Sequence, residues 1–576
     1  MNYARLPQTS GQIALPAWRS RTLFVLLLLG MAGLLARAVY LQGIHNDFLQ
    51  QKGDARYSRV VEVPAHRGMI TDRNGEPLAI SSPAESVWAS PPDVVATPAQ
   101  LTQLARILGM TQSDLKQRLF DTEREFVYLK RQLPPEQAQQ VVRLGIPGIS
   151  LKREYRRYYP GGEVTAHLLG FTDVDDNGRE GIELAMQDKL GGRPGSQQVI
   201  KDRRGHIVED VASLRAPKEG GDVVLSIDSR LQSLAFREIR QAVEQHQARA
   251  GSIVVLDAKS GELLALANWP SFNPNERGRV MPAQLRNRAI TDLFEPGSTM
   301  KPFTVAAVLE EGKFQPHTLI NTEHGSFAIG GRTIHDTHPE AVLSVAQVIQ
   351  KSSNVGAAKM ALSLSPQSFW QRLSENGFGA PTGSEFPGEA SGRLRNFRNW
   401  RPIEQATMSY GNGISVNLLQ LARAYTVFAN DGELKPVTLL KQDMPVAGKK
   451  IYSDATARAV RAMLELVVQP GGTAPRAQIA GYRVAGKTGT AHKLQNGRYV
   501  DKYVASFVGM APASDPRLIV AVMVDEPGGK DYYGGLVAAP VFSNVMRESL
   551  RILDVPYDAP LDHVIEVPDE IVGEEA

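Results

Sequence analysis

Ser298 and Lys301 stand three residues apart in the string Glu295-Pro296-Gly297-Ser298-Thr299-Met300-Lys301. The proline and glycine predict a helix start at the serine, which would place the two side chains on one face, one above the other. A lysine at a helix N-terminus feels the positive end of the dipole, which favours its neutral form. A neutral amine can take the serine proton and leave an alkoxide nucleophile. The chemistry needs this spacing, but the spacing selects little, because ordinary composition gives about two such patterns in a chain this long. Ser113-Asp114-Leu115-Lys116 is a second copy and reads as part of a solvated helix.

Lys487-Thr488-Gly489-Thr490 is a rarer string, expected by chance in about one such chain in ten. It follows Tyr482-Arg483-Val484-Ala485-Gly486, which reads as the start of a strand. A strand edge with a lysine, two hydroxyls and a glycine offers charge, donors and close backbone approach to an extended peptide. It suits the carboxylate end of a peptide substrate. A third pattern, Ser-x-Asn, begins at Ser271, Ser352, Ser374 and Ser415, so by itself it picks out nothing.

Elements on either side must position these residues. Val223 to Ile227 reads as a strand, and Asp228 as the cap of a helix with Leu231, Leu234, Ala235, Ile239 and Ala242 on one face. Ser252 to Leu256 and Leu263 to Leu266 read as a hairpin turning through Lys259-Ser260-Gly261. Tyr503 to Gly509 and Leu518 to Val524 read as two further strands, and Ala539 to Leu553 as a closing helix with Pro540 in its first turn. Residues 298 to 430 read as mostly helical. Strands at both ends with helices between them predict one α/β or α+β domain whose sheet the C-terminal part completes. Residues 42–220 are rich in arginine and turn signals and carry no catalytic constellation, so they read as a pedestal. Asn74-Gly75 in that stretch predicts a hairpin turn between Met69-Ile70 and Leu78-Ala79-Ile80. Residues 557–576 are acidic and read as a tail.

The N-terminus adds a membrane segment. Leu23 to Leu41 is apolar apart from Arg37 and, as a helix, spans roughly 28 Å, enough to cross a bilayer. Arg5, Arg19 and Arg21 precede it and no acidic residue occurs before Asp47, so the N-terminus stays in the cytoplasm and the rest is exported. Ala36-Arg37-Ala38 loosely fits a cleavage site, but the arginine and the continuing apolar stretch fit an anchor better. The net charge of +3 gives no case for nucleic-acid binding, and the absence of cysteine excludes disulfide and thiolate chemistry.

Serine, lysine, Ser-x-Asn and Lys-Thr-Gly in this order form the signature of penicillin-binding proteins and class A β-lactamases. The chain resembles the class B penicillin-binding proteins over nearly its whole length. Arg67 to Gly75 (RGMITDRNG), Gly178 to Glu183 (GREGIE) and Phe294 to Phe303 (FEPGSTMKPF) look like family boxes. Tyr410-Gly411-Asn412-Gly413 stands where the family often has glutamine third, so Asn412 is a mild departure. Family spacing picks Ser352-Ser353-Asn354 as the middle motif. The resemblance implies a penicillin-binding, serine β-lactamase-like transpeptidase domain over 221–556, an elongated pedestal over 42–220, an anchor over 23–41 and a cytoplasmic segment over 1–22. It implies a D,D-transpeptidase without cofactor or metal, acting on the pentapeptide stems of peptidoglycan and acylated by β-lactams. Ser298 would be the nucleophile and Lys301 the base. Ser352 would relay a proton, with Lys487 nearby, and Asn354 would bind the substrate amide. Ser353, Thr488, Gly489 and Thr490 would line the substrate, and the backbone N–H groups of Ser298 and Thr490 would form the oxyanion hole. Tyr503, Tyr532 and Tyr533 would add an aromatic wall or serve only in ordinary packing and loop contacts.

A β-lactamase of class A needs Glu-x-x-Leu-Asn between the second and third motifs, and no such string lies between Asn354 and Lys487. A bifunctional enzyme would carry Glu-Asp-x-x-Phe, also missing from the pedestal, so a separate membrane glycan polymerase is implied as partner. A catalytically silent scaffold is disfavoured by the complete motif set. Elongation-type relatives often have Ser-Cys-Asp at the middle motif. Ser352-Ser353-Asn354 therefore points to the division enzyme, or to a specialised paralogue, with division proteins as partners.

Overall fold

A computed structural model describes residues 16–44, 58–120, 124–201, 207–278, 280–495 and 497–561. They divide into two compact units, the first from 1–65, 86–152 and 194–218, the second from 66–85, 153–193 and 219–576. The stretch 42–220 thus contributes to both.

In the first unit the apolar run forms a helix, Ala17–Val39, six residues longer at its start than the run itself because Pro16 opens it. The span Ala17–Gln42 is long and apolar enough to cross a membrane. A three-stranded antiparallel sheet has Gly195–Lys201 between Ser58–Val63 and Ile207–Arg215. A separate small core gathers Leu101, Leu104 and Leu108 of helix Pro98–Leu108 with Leu115 and Leu119 of helix Gln112–Leu119. Thr97 and Gln100 form a capping box that fixes the start of the first of these helices. On the second, Ser113 and Lys116 are exposed, so the second Ser-x-x-Lys string lies on a solvated face.

In the second unit the Asn74-Gly75 turn joins Ile70–Thr71 to the strand beginning at Pro77, with Ile70 opposite Ala79. Asp72 accepts from the N–H groups of Asn74 (2.7 Å), Glu76 (2.9 Å) and Ser229 (3.0 Å). Arg67 and Arg157 both bind the buried Glu183 carboxylate at 2.7 Å. The two sequence boxes containing Arg67 and Glu183 are therefore held together by a buried ion-pair triad, in which each charge has a partner.

The site rests on nine elements: α1 (Ser229–Gln245), β1 (Ala250–Asp257), β2 (Leu263–Trp269), α2 (Lys301–Glu310), α3 (Asn354–Leu362), β3 (Ala485–Gln495), β4 (Arg498–Ala511), β5 (Leu518–Asp525) and α4 (Gly534–Ile552). The strands form one antiparallel sheet in the order β2-β1-β5-β4-β3. The C-terminal strands complete a sheet begun more than 200 residues earlier, as the sequence predicts. Every residue of β1 and β5 is buried, because α1 and α4 pack on one face and helix Leu418–Ala424 on the other. Asp228 caps α1 as expected, accepting from the Arg230 N–H at 3.0 Å.

Three expectations change. The closing helix starts at Gly534, so Pro540 lies inside it rather than in its first turn. Gly534 and Gly535 do not break the helix but let it press on β3. A Cβ on Gly534 would stand 2.6 Å from the Gly489 carbonyl oxygen, and one on Gly535 2.3 Å from that of Thr473. The stretch between the strands is helical in parts only: it also holds two short ladders, Leu319–Asn321 with Val342–Ser344 and Ser326–Ile329 with Arg332–His335, and a largely irregular segment over 376–401. The segment from Tyr557 begins docked: Tyr557 packs on Tyr482, and Asp558 accepts from the Arg483 N–H at 2.7 Å. Residues 562–576 lie outside the described residues.

Candidate active site

Ser298 lies in a 3-10 turn, Gly297–Met300, that runs directly into α2. The helix proper begins at Lys301, one turn later than the sequence predicts, and the serine remains at its N-terminal end. Gly297 takes φ +57, a left-handed conformation that suits glycine. Gly411, at φ +93, lies so close that a Cβ there would meet the Gly297 carbonyl oxygen at 2.2 Å. Tyr425 Oη donates to the Thr299 carbonyl at 2.8 Å, and Thr304 Oγ1 to that of Ser409 at 2.8 Å. The turn is thereby clamped by a second loop, the Tyr-Gly-Asn-Gly segment.

Ser298 and Lys301 are both fully buried. Lys301 Nζ stands 2.7 Å from Ser298 Oγ and 2.9 Å from Ser352 Oγ, and also donates to the Ser352 carbonyl. Ser352 ends helix Val345–Lys351 in a left-handed conformation, φ 61 and ψ 40, which brings both its oxygens to the lysine. A non-glycine residue held there is a strained position fixed by its surroundings. Ser353 caps α3 by accepting from the Gly356 N–H at 2.9 Å. Its hydroxyl donates to Asp336 Oδ2 at 2.6 Å, and the Val355 N–H donates to Asp336 Oδ1 at 2.9 Å. Asn354 Nδ2 donates to the His335 carbonyl at 3.0 Å. The short ladder ending at His335 thus carries the anchor of the second motif.

The third motif runs along β3, an edge strand packed against the Ser298 turn. Gly489 is required there, because a Cβ would meet Ser506 Oγ at 2.5 Å and the Pro296 carbonyl oxygen at 2.8 Å. Lys487 is buried, with Nζ 3.1 Å from Thr488 Oγ1, and Thr488 Oγ1 stands 2.8 Å from Thr473 Oγ1. Thr490 Oγ1 accepts from the Gly534 N–H at 3.0 Å, tying the strand to α4. Tyr503 stacks on Tyr532 with ring centroids 4.0 Å apart, and Tyr532 tilts onto Tyr533 at 4.4 Å. His492, two residues past Thr490, packs on Tyr503 at 4.5 Å.

The structure therefore brings Ser298, Lys301 and Ser352 into direct hydrogen-bond contact, sets β3 beside them, and groups the three tyrosines. Three contributors are not among the site residues the sequence predicts. Asp336 is one and Thr473 another. The third is Glu295, whose carboxylate accepts from the Gly413 N–H at 2.8 Å and from Tyr499 Oη at 2.9 Å. Burial raises the Glu295 pKa, and these two bonds oppose the shift. It lies in the Phe294 to Phe303 segment that resembles the family's nucleophile box, but nothing local there predicts its bonds to Gly413 and Tyr499.

The model of the penicillin-binding protein transpeptidase domain matches residues 251–547, and that of the penicillin-binding protein dimerisation domain matches residues 62–225. The probable peptidoglycan D,D-transpeptidase PenA of Neisseria meningitidis is 46% identical over 548 residues, which cover 94% of each chain. The chain belongs to the class B penicillin-binding proteins. These proteins are peptidoglycan D,D-transpeptidases, as the sequence resemblance implies. The peptidoglycan D,D-transpeptidase FtsI of Escherichia coli K12 is 42% identical over 550 residues, covering 94% of this chain and 93% of that one. Among solved structures, the transpeptidase domain of Burkholderia pseudomallei penicillin-binding protein 3 is 48% identical with a TM-score of 0.55, and covers 58% of this chain and 98% of that one.

Proposed function

We propose that this class B protein crosslinks septal peptidoglycan through an acyl-enzyme on Ser298. Lys301 takes the Ser298 proton as Oγ attacks the carbonyl between the two terminal D-alanines of a pentapeptide stem. The oxyanion is held by the backbone N–H groups of Ser298 and Thr490, where one such donor is worth about 3 kcal/mol. Ser352 passes the proton to the departing D-alanine nitrogen, with Lys487 nearby, and the peptide C–N bond breaks. An amine from a neighbouring stem then attacks the ester, gives up its proton along the same route, and frees Ser298. Asn354 holds the substrate amide; Ser353, expected to line the substrate, instead spends its hydroxyl on Asp336 and the Gly356 N–H and fixes the turn behind it. Lys487, Thr488, Gly489 and Thr490 hold the terminal carboxylate, and Tyr503 and Tyr533 flank it. β-Lactams present a strained amide to the same serine and acylate it.

The observation that carries this reading is Lys301 Nζ within hydrogen-bond reach of both Ser298 Oγ and Ser352 Oγ. One amine can then accept a proton from the nucleophile and return it through the second serine. The septal assignment rests on Ser352-Ser353-Asn354 and on the likeness to FtsI along 94% of the chain. It makes division proteins and a membrane glycan polymerase the partners. The apolar run Leu23 to Leu41, preceded by Arg5, Arg19 and Arg21, anchors the protein in the inner membrane with its N-terminus cytoplasmic and its catalytic unit periplasmic.

The test is a denaturing gel of membranes carrying the protein or its Ser298→Ala variant after incubation with fluorescent penicillin. A band near 63 kDa that disappears in the variant supports Ser298 as nucleophile. No band from folded wild-type protein would overturn the assignment.

A further inference from the structure

Immediately past the third motif, the chain lines a cavity of about 460 Å³ that opens to solvent. Its walls come from Phe294 and Glu295 just before the Ser298 turn, from Gly413 to Ser415, from Arg393 and Arg395, and from Ala491 to Leu494 of β3. The volume suits a small ligand group. At the rise of a β-strand, His492 stands about 7 Å beyond Thr490. A peptide that lies along β3 with its reacting carbonyl at Ser298 would bring a side chain about two residues away to this mouth.

The charges facing the cavity are unequally committed. Asp292 is already bound to Arg286 at 2.6 Å and Arg288 at 2.8 Å. Asp525 is bound to Lys493 at 2.6 Å. Glu295 accepts from Gly413 and Tyr499. Arg395 shares its guanidinium with Glu404 at 3.1 Å. Arg393 differs: its side chain is exposed and makes no hydrogen bond or ion pair with the described residues, while its backbone is locked to Ser415 by bonds of 2.8 and 3.1 Å. A fixed backbone and an uncommitted guanidinium, with Asp292 and Asp525 paired to cations and Glu295 near the Arg395 charge, leave this cavity receptive to an anion.

We propose that the cavity is a subsite for a free carboxylate on a stem peptide, about two residues from the reacting D-alanine, with Arg393 as its counter-ion. The inference rests on the transpeptidase reading above. The carboxylate can belong to the donor stem acylating Ser298 or to the acceptor stem whose amine attacks the ester. Both present the same chemistry to Arg393.

The test uses the full-length protein in detergent, as wild type, Arg393→Ala and Arg393→Glu, with stem peptides in free-carboxylate and carboxamide forms. A pentapeptide with its amine blocked serves as donor only, read by release of D-alanine. A tetrapeptide with a free amine serves as acceptor only, read by crosslinked product formed with a carboxamide donor. In one arm, the KM of the carboxylate peptide is expected to rise about tenfold in Arg393→Ala, the loss of one charge-assisted bond. It should rise further in Arg393→Glu, with the carboxamide peptide unaffected. The arm that responds names the source of the carboxylate. Equal changes for both peptide forms, or no change in either arm with either variant, would overturn the subsite. Penicillin acylation of Ser298 should be unchanged in both variants. Loss of acylation from the wild type would instead count against the proposed function.

Discussion

Lys301 has no access to water, yet its amine meets three oxygens, two of them from a residue 51 positions away. A buried ammonium needs three acceptors, and a buried neutral amine needs one donor to its lone pair. The two serine hydroxyls and the Ser352 carbonyl serve either form, so the proton can move without leaving an orphaned group. Lys301→Met should therefore slow acylation by fluorescent penicillin by about 10²- to 10⁴-fold, the usual range for a general base. A variant that acylates at the wild-type rate in stopped-flow measurements would remove Lys301 from the proton path. Asp336 acts one step further out. Asp336→Ala would leave the Ser353 hydroxyl and the Val355 N–H without their acceptor, costing about 1–3 kcal/mol. The expected result is a lower thermal midpoint together with slower acylation. Asp336→Asn, which keeps one acceptor oxygen, should recover part of both.

At the scale of elements, the site is assembled by close backbone approach. Gly411 and Gly75 make a controlled pair. Both take φ near +90, but a Cβ on Gly75 would meet open space, whereas one on Gly411 would strike Gly297. Gly75→Ala should lower stability by about 1–2 kcal/mol from backbone strain alone and leave the acylation rate unchanged. Gly411→Ala should slow acylation at least tenfold, because the nucleophile turn must move. Equal acylation rates in the two variants would show that the Tyr-Gly-Asn-Gly loop does not set the turn. The same contrast separates what the sequence made legible from what it did not. The strands around Val254, Phe507 and Val522 were legible because fully buried strands read as continuous apolar runs, and Asp228 because a cap has local chemistry. The serine–lysine pair was legible because its geometry lies within one helical turn. Asp336 was not, since an isolated aspartate becomes an anchor only through contacts 17 to 19 residues away. The start of α4 was misread for a related reason. Gly534-Gly535 looks like a helix stop, and only the contacts with Gly489 and Thr473 make it a point of tight packing.

For the molecule as a whole, buried polar groups set its response to acid. His167 is buried, with Nε2 2.7 Å from the Gln284 carbonyl oxygen and its ring edge-on to Phe272. Desolvation lowers its pKa to about 4; the Gln284 bond opposes the shift and the nearby Arg288 adds to it. In the unfolded chain the same ring has its ordinary value near 6.5. Its contribution to stability is therefore fully present above pH 6.5 and lost as pH falls to about 4, a span worth on the order of 3 kcal/mol. Glu526 acts lower. Desolvation would raise its pKa, but hydrogen bonds from Lys493, Lys502 and Arg249 outweigh that and hold it at about 2. Its contribution is present above its ordinary value and lost as pH falls toward 2. Burial raises the Asp176 carboxyl to about 6, which offsets part of the His167 loss between pH 6 and 4. The thermal midpoint of the wild type should thus decline only partly from pH 6.5 to 4 and then further below. His167→Gln, which keeps a donor for the Gln284 carbonyl, should flatten the upper decline and leave the lower one. Glu526→Gln should do the reverse. If His167→Gln loses as much of its midpoint between pH 6.5 and 4 as the wild type, the ring is not what couples folding to protons in that range.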